Sequence, residues 1–368
     1  MKLSVCMIVK NEEKVLEKTL PLLAKKVDEI VLVDTGSTDN TIEIAKKLGA
    51  KIHTFSWIDD FSAARNESLK HALGDWIIWV DADEFINEKT LDTLRQILEK
   101  SDKEAYYLPI YQAQFGTEEG SRFYSRLKVF KNNKGIHFGR SFNEQVYAAS
   151  GELLKGEFLQ DIKVFHWGKD LGEEKAKEKK ERNFRILKEA LQKDQNDFHC
   201  HFLLANNYFD VGDKTTAFSE YSTVVSIAPK DPISVVSRMR MSKMLMEQSK
   251  YAQAFETLKE VIALEPFNAE AYNMMGVIYL FTKQTKDAIH VFEHASKLSP
   301  PKNALNGFNI KDYTYFPHFY LGSAYLMGQK KQDALREFTI AYDFYPDPKL
   351  KARIEQLKKE VDSNGEHL

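Results

Sequence analysis

Trp76-Ile77-Ile78-Trp79-Val80-Asp81-Ala82-Asp83-Glu84 is an unbroken run of apolar residues that stops at three acids. Gly74-Asp75 before it reads as a turn. A continuous apolar run of this length reads as a parallel strand covered on both faces. Open α/β sheets bind ligands at the carboxyl ends of such strands. Asp81 and Asp83 are therefore expected at the rim of a cleft. Carboxylates at i and i+2 suit a hard divalent cation bound through oxygen. An Asp-x-Asp also arises by chance in chains of this length, so the rest of the N-terminal half must separate the two readings.

Leu3 to Val9 reads as a buried strand. Asn11-Glu12-Glu13 can cap a helix carrying Val15, Leu16, Leu20 and Leu23 on one face, with Pro21 expected to kink or end it. Glu29 to Val33 is a second strand ending at Asp34. Thr35 to Thr41 then turns into a helix through Leu48, and Asn40 with Glu43 resembles a capping box. Ala50 to Phe55 is a third strand, and Asp60-Phe61-Ser62-Ala63-Ala64-Arg65-Asn66 opens another helix before Trp76. Strands alternating with helices across short loops predict a parallel α/β sheet. Beyond Glu84 the pattern changes to one helix, near Lys89 to Leu98, and strands near 106–112, 126–130 and 162–166, so the whole sheet is expected to be mixed.

The 368 residues allow two domains with proper cores. A net charge of −2 gives no reason to expect nucleic acid as a partner. Two cysteines, Cys6 and Cys200, in no metal spacing fit a reducing compartment. The apolar run Leu3 to Val9 is too short for a signal peptide, and no run is long enough to span a membrane. The expected location is the cytoplasm.

Four segments together resemble the family 2 glycosyltransferases of GT-A fold. They are Ser4-Val5-Cys6-Met7-Ile8-Val9-Lys10-Asn11-Glu12-Glu13, Ile30-Val31-Leu32-Val33-Asp34-Thr35-Gly36-Ser37-Thr38-Asp39, Arg65-Asn66, and Asp81-Ala82-Asp83. The resemblance implies a Rossmann-like fold and transfer of a sugar from a nucleotide diphosphate sugar, usually with inversion. It places Lys10, Asn11, Asp34, Arg65, Asp81 and Arg126 around the donor, with Asp34 toward the nucleobase and Asp81 toward the ribose. It assigns Asp81, Asp83 and a late histidine, His166, to a Mn²⁺ or Mg²⁺ ion. Such an ion stabilises charge on the leaving oxygen. In an inverting enzyme a carboxylate within hydrogen-bond reach is the usual group to take the acceptor's proton. Glu144, in Gly139-Arg140-Ser141-Phe142-Asn143-Glu144-Gln145, is the candidate, with His137 as a weaker substitute for it or for His166. Relatives with a repeat tail often show His-Glu-Gln here, where this chain has Asn143. The structural alternatives are a turn or cap carboxylate for Asp34, a surface ion pair for Arg65, an ordinary loop salt bridge for Glu144, a packed ring for His166 and a strand-pinning role for Arg126. Asp39 is read as a turn or cap residue.

Composition shifts at Gly172. Glu173 to Arg182 is a run of mixed charges that reads as a solvated helix face. Then a repeat appears, anchored on Pro229, Pro266, Pro300 and Pro346. Before Pro300 stand Tyr272, Met275, Gly276, Tyr279, Ala288, Phe292 and Ala295. Before Pro346 stand His318, Leu321, Gly322, Tyr325, Ala334, Phe338 and Ala341. The first copy has His201, Leu204, Ala205, Tyr208, Ala217 and Tyr221, and the second, with Arg238 and Ser242, is degenerate. This is the tetratricopeptide pattern, an all-α solenoid. The expected organisation is a transferase domain at 1–170, a linker helix at 171–197, about four repeats at 198–347, and a capping helix and tail at 348–368. An insertion at about 301–314 precedes the last copy. Its neighbours Tyr313, Tyr315 and Phe316 either meet an acceptor or pack the insertion down.

The combination is similar in organisation to the sublancin-type peptide S-glycosyltransferases, which modify cysteine or serine of a small peptide. The leading expectation is an inverting, metal-dependent transferase whose polypeptide acceptor is presented by the repeats. A cell-envelope glycan or lipid-linked acceptor is the alternative within enzymes. A non-catalytic adaptor is the alternative outside them, and homodimerisation or a rigid spacer is the competing use of the repeats.

Overall fold

The computed structural model describes residues 1–167, 172–301, 305 and 307–365. The chain divides into two compact units: Met1–Gln195 with Asn303–Gly307, and Asn196–Lys302 with Phe308–Leu368. The boundary expected between residues 170 and 171 falls outside the described residues, as do 302–304 and 306 of the insertion.

In the first unit β1 (Leu3–Val9), α1 (Glu13–Lys26), β2 (Glu29–Asp34), α2 (Thr41–Lys47), β3 (Lys51–Thr54), α3 (Phe61–His71) and β4 (Trp76–Trp79) alternate as the periodicity predicts. After them come β5 (Glu84–Phe85), α4 (Glu88–Lys100), β6 (Ala105–Ala113), β7 (Arg122–Lys131), β8 (His137–Gly139), β9 (Gln145–Tyr147), β10 (Glu157–Phe158), β11 (Val164–Trp167) and α5 (Gly172–Lys193). The sheet runs β3-β2-β1-β4-β7-β6-β11-β5, with β10 beside β6. β1 to β4 are mutually parallel, and β7 enters antiparallel to both β4 and β6. The sheet is mixed.

Its two faces carry separate cores. Val5, Met7, Leu32 and Ile78 pack under Leu16, Leu20 and Leu23 of α1 and Leu91, Leu94 and Leu98 of α4. On the other face Cys6, Val31, Ile77 and Trp79 meet Phe138 and Val146 of the β8–β9 hairpin. Two local expectations are corrected. Pro21 neither ends nor breaks α1, which continues to Lys26. The proline removes one backbone bond, but Leu20 and Leu23 stay buried on either side. Nor does Asn40 cap α2 with its side chain. Asp39 instead accepts from the Thr41 amide at 3.0 Å, and the Asn40 amide group is turned to Glu13 at 3.1 Å.

Apart from the two-residue strand Phe308–Asn309, the second unit is helical among its described residues. α6 (Phe198–Asp210) and α7 (Lys214–Ile227) pair first, then α8 (Pro232–Glu247) with α9 (Tyr251–Leu264). α10 (Ala269–Phe281) pairs with α11 (Thr285–Ala295), α12 (Tyr315–Met327) with α13 (Lys331–Phe344), and α14 (Pro348–Gly365) closes on α13. Within each of the last two pairs a glycine faces a phenylalanine. A Cβ on Gly276 would lie 2.4 Å from the Phe292 ring, and one on Gly322 would lie 2.7 Å from the Phe338 ring. The second copy departs from the pattern because Arg238 fills its aromatic position. Buried there, it donates to Glu260 at 2.7 Å and to the Pro229 carbonyl at 3.1 Å. A single 3₁₀ turn, Ile310–Asp312, lies on α10, where Asn273 donates to the Asp312 carbonyl at 3.0 Å. Tyr313 and Tyr315 are buried; Tyr313 donates to the Phe267 carbonyl at 3.1 Å, which ties the end of the insertion to the repeats, and Phe316 packs beside Tyr315.

Candidate active site

β4 ends at Trp79, and Val80 is still held by the Cys6 carbonyl. The chain then turns: the Glu84 amide donates to the Asp81 carbonyl at 2.9 Å. The two-residue strand β5 follows at once and pairs antiparallel with β11, His166 against Glu84. The Trp167 amide donates to the Asp83 carbonyl at 2.8 Å. A late strand is thereby stitched to the acidic turn, which brings His166 Nε2 within 3.4 Å of Asp83 Oδ2.

Arg65 arrives from α3. Asp60 caps this helix by accepting from the Ala63 amide at 3.0 Å, and the Phe61 amide donates to the Ser141 carbonyl at 2.9 Å. Asn66 both donates to and accepts from the Phe138 backbone, at 2.8 Å each way. The neighbouring side chains thus clamp β8 and the loop after it, and Glu144 comes with that loop. Arg65 donates from Nε to Glu144 at 2.6 Å and from Nη2 to Asp81 Oδ1 at 2.7 Å. Arg126, from β7, donates to Asn143, the residue that replaces the histidine of the related motif.

Sequence reasoning missed three members of the site, Lys128, Glu84 and Trp79. Lys128 Nζ donates to Glu84 Oε2 at 2.7 Å and lies 3.9 Å from Asp81 Oδ2. Its side chain is 1% exposed and that of Glu84 2%, against 30% for Asp81. The available signal was a lone lysine inside the apolar strand Leu127-Lys128-Val129-Phe130. Trp79 is the third omission. Its indole N–H donates to the Leu127 carbonyl at 2.7 Å. Lys128 Nζ stands 3.4 Å from the ring centre, with the Arg65 and Arg126 guanidinium carbons at 4.3 and 5.4 Å. Aromatic faces attract cations most strongly where water is excluded.

Glu144, Arg65, Asp81, Lys128 and Glu84 form one chain of alternating charge. Burial would raise the Asp81 carboxyl, but Arg65 and Lys128 outweigh it and hold that carboxyl well below the usual range. Burial also opposes charge on Arg65, and Asp81 and Glu144 overcome it. At the far end burial prevails. It raises the Glu84 carboxyl and lowers the Lys128 ammonium, each only partly offset by the other. The hydrogen bond to Asp83, against the opposing effect of burial, raises His166. Three acids and two bases leave one net negative charge, wherever the proton between Glu84 and Lys128 resides.

The remaining candidates are placed as follows. The Asp34 carboxylate, at the end of β2, accepts from the Gly36 and Ser37 amides at 3.2 and 3.1 Å. Asn11, in a left-handed conformation at φ 55°, accepts from the Thr38 amide at 2.7 Å, and Lys10 beside it is exposed. His137 is exposed and stacks on Tyr147 of the hairpin, outside the charge chain. Asp83 and His166 are close enough to share one cation. Asp81 is drawn instead to Arg65 and Lys128, and among the described residues no three His, Cys, Asp or Glu side chains form a ligand group. One carboxylate and one imidazole would leave most positions of an octahedral ion to water or phosphate oxygens.

Residues 4–162 match the family model for glycosyl transferase family 2, and residues 164–311 match that for a tetratricopeptide repeat-like domain. A TPR repeat-containing protein of Synechococcus elongatus is 40% identical over 144 residues, which is 39% of this chain and 35% of that protein. The prophage-derived glycosyltransferase SunS of Bacillus subtilis is 27% identical over 188 residues, 50% of this chain and 44% of SunS. The chain thus spans less than half the length of these two relatives. A crystal structure of S. aureus TarS in complex with UDP-GlcNAc aligns at 20% identity and a TM-score of 0.40, covering 72% of this chain and 91% of that one. No helix among the described residues is long and apolar enough to cross a membrane. The chain carries a family 2 glycosyltransferase domain at residues 4–162, followed by a tetratricopeptide-like domain.

Proposed function

We propose that this protein is an inverting, metal-dependent glycosyltransferase. It moves a sugar from a nucleotide diphosphate sugar, a UDP-sugar in the first instance, to a cysteine or serine side chain of a polypeptide recognised by the repeats. The observation that carries the reading is the Asp83–His166 pair beside an Arg65-tethered Asp81 at the carboxyl end of β4, in a family 2 domain.

Asp83 and His166 would hold Mn²⁺ or Mg²⁺, which when bound supplies a Lewis acid for charge on the leaving diphosphate. Asp81, kept ionised by Arg65, accepts from the donor ribose. Asp34, fixed by two backbone amides, accepts from the nucleobase, and Lys10 and Asn11 line that end. Arg126, tethered by Asn143, faces the phosphates. Glu144 takes the proton of the attacking acceptor, and its bond to Arg65 fixes the orientation of the carboxylate. A base held in place gains over one free to rotate because the reacting geometry is set in advance.

The test is turnover. The full chain is incubated with Mn²⁺ and UDP-, GDP- and dTDP-sugars, with and without small cysteine- or serine-bearing polypeptides, and products are weighed by intact mass spectrometry. A hexose-sized gain on the polypeptide is expected. Donor hydrolysis with an unmodified polypeptide would reject the peptide acceptor in favour of a glycan or lipid-linked one. No donor consumption across the panel would reject the enzyme.

A further inference from the structure

We infer that Lys128 and Glu84 are positioning residues for the donor site: a buried brace that fixes the Asp81-Ala82-Asp83 turn without touching substrate. The inference rests on the donor-site reading above.

Three bonds converge on Glu84. Its carboxylate Oε2 accepts from the Asp81 amide at 2.8 Å and from Lys128 Nζ at 2.7 Å, and its own amide donates to the Asp81 carbonyl at 2.9 Å. Its backbone meanwhile pairs with His166 in the β5–β11 ladder. Glu84 therefore ties the residue at one end of the turn to the strand that brings the histidine. Lys128 fixes Glu84 in turn. It stands on β7, antiparallel to β4, with its ammonium against the Trp79 face. Both strands are central in the sheet, each paired on both edges.

Packing alone does not explain a lysine here. A buried ion pair carries a desolvation cost of several kcal/mol per ion, and an apolar pair of similar volume is often as stable or more so. A methionine would fill the place of Lys128. What an apolar pair cannot do is hold the Asp81 amide or set a single turn geometry. Misplacing reacting groups by about 1 Å can cost roughly 100-fold in rate, so a brace acting on this turn has its effect on turnover rather than on folding.

The experiment compares wild type with Lys128→Met and with the double variant Glu84→Leu/Lys128→Met, all as full chains. Folding is followed by circular dichroism and Tm, donor hydrolysis by kcat and KM, and UDP binding with Mn²⁺ by calorimetry. The expected result is a folded Lys128→Met protein with kcat down by about 100-fold and a raised Mn²⁺ requirement. If Lys128→Met fails to fold, the double variant, which leaves no unpaired buried charge, gives the same readouts. Wild-type kcat and Mn²⁺ dependence in a folded variant, beside an active wild type, overturn the brace alone. A wild type that neither binds UDP with Mn²⁺ nor consumes donor overturns the donor-site reading and the brace with it.

Discussion

The end of β4 and the interior of the repeats are both well buried, and they are built on opposite rules. Between α10 and α11, and again between α12 and α13, a glycine admits a phenylalanine ring. Fully buried alanines complete the contact: Ala288, Ala295, Ala334 and Ala341. The organising quantities there are volume and apolar area. At the end of β4, Arg65, Lys128, Glu84 and Glu144 are buried around one indole, each answered by a charge of opposite sign. The organising quantity there is charge. Buried ions are costly to stability, and proteins break local rules of burial mainly at functional sites. The contrast is one of degree, because the repeats also bury single paired charges at Arg238 and Glu337, whereas the β4 end gathers five charged groups in one chain.

Substitutions can break that contrast or sharpen it. The largest effect is expected for Asp83→Ala, which removes one of the two side chains proposed to hold the cation. Turnover and Mn²⁺-dependent nucleotide binding should vanish while Tm barely moves; normal turnover by the folded variant would undo the metal assignment. Glu144→Gln comes next, with donor binding kept and transfer lowered by about 100-fold or more, the scale of a general base. Equal transfer rates in a single-turnover assay would move the base elsewhere. In the repeats the sensitive residue is Phe292, which faces Gly276. Phe292→Ala should cost about 3–5 kcal/mol, seen in denaturant unfolding of the helical signal, with donor hydrolysis per folded molecule unchanged. A loss of hydrolysis equal to that of Asp83→Ala would erase the distinction between the two regions.

The smallest effect is a pH dependence in the repeats. His318 Nδ1 lies 2.8 Å from Glu337 Oε2, and Arg336 donates to the other oxygen at 3.1 Å. Burial raises the Glu337 carboxyl, but the bonds from His318 and Arg336 outweigh it and lower the group below its ordinary 4.5. A lowered carboxyl contributes stability that is present above the unfolded value and lost as pH falls through the folded one. The urea midpoint should therefore drop more between pH 5 and pH 3 for wild type than for Glu337→Gln. Parallel curves would remove the pair from the account.

Much of the molecule was legible in advance. The Trp76 run, the strand–helix alternation and the proline-spaced repeats are local patterns, and local patterns survive into the fold because they reflect which face each element must bury. Asp34, Arg65, Asp81, Asp83, Glu144 and His166 could be singled out from the residues and the resemblance they carry. Their partners could not. Arg65 is 79 residues from Glu144 and 16 from Asp81, and Lys128 is 44 from Glu84. Arg65 meets Glu144 because α3 is clamped to β8 and the loop after it, and Lys128 meets Glu84 through the register of β7 against β4 and of β11 against β5; no window of sequence contains these contacts. Local reading also failed at Asn40, where Asp39 and Glu13 take the bonds a capping box would have made.

The sequence by itself determined two domains, their fold classes and the carboxyl end of β4 as the candidate site, because hydrophobic period and turn residues act over a few positions. Only the tertiary structure decided that Asp81 belongs to Arg65 and Lys128 while Asp83 belongs to His166. It also placed a buried lysine on Trp79 behind them. Electrostatic pairing acts through space at a few ångströms, and chain order says nothing about which charges will meet.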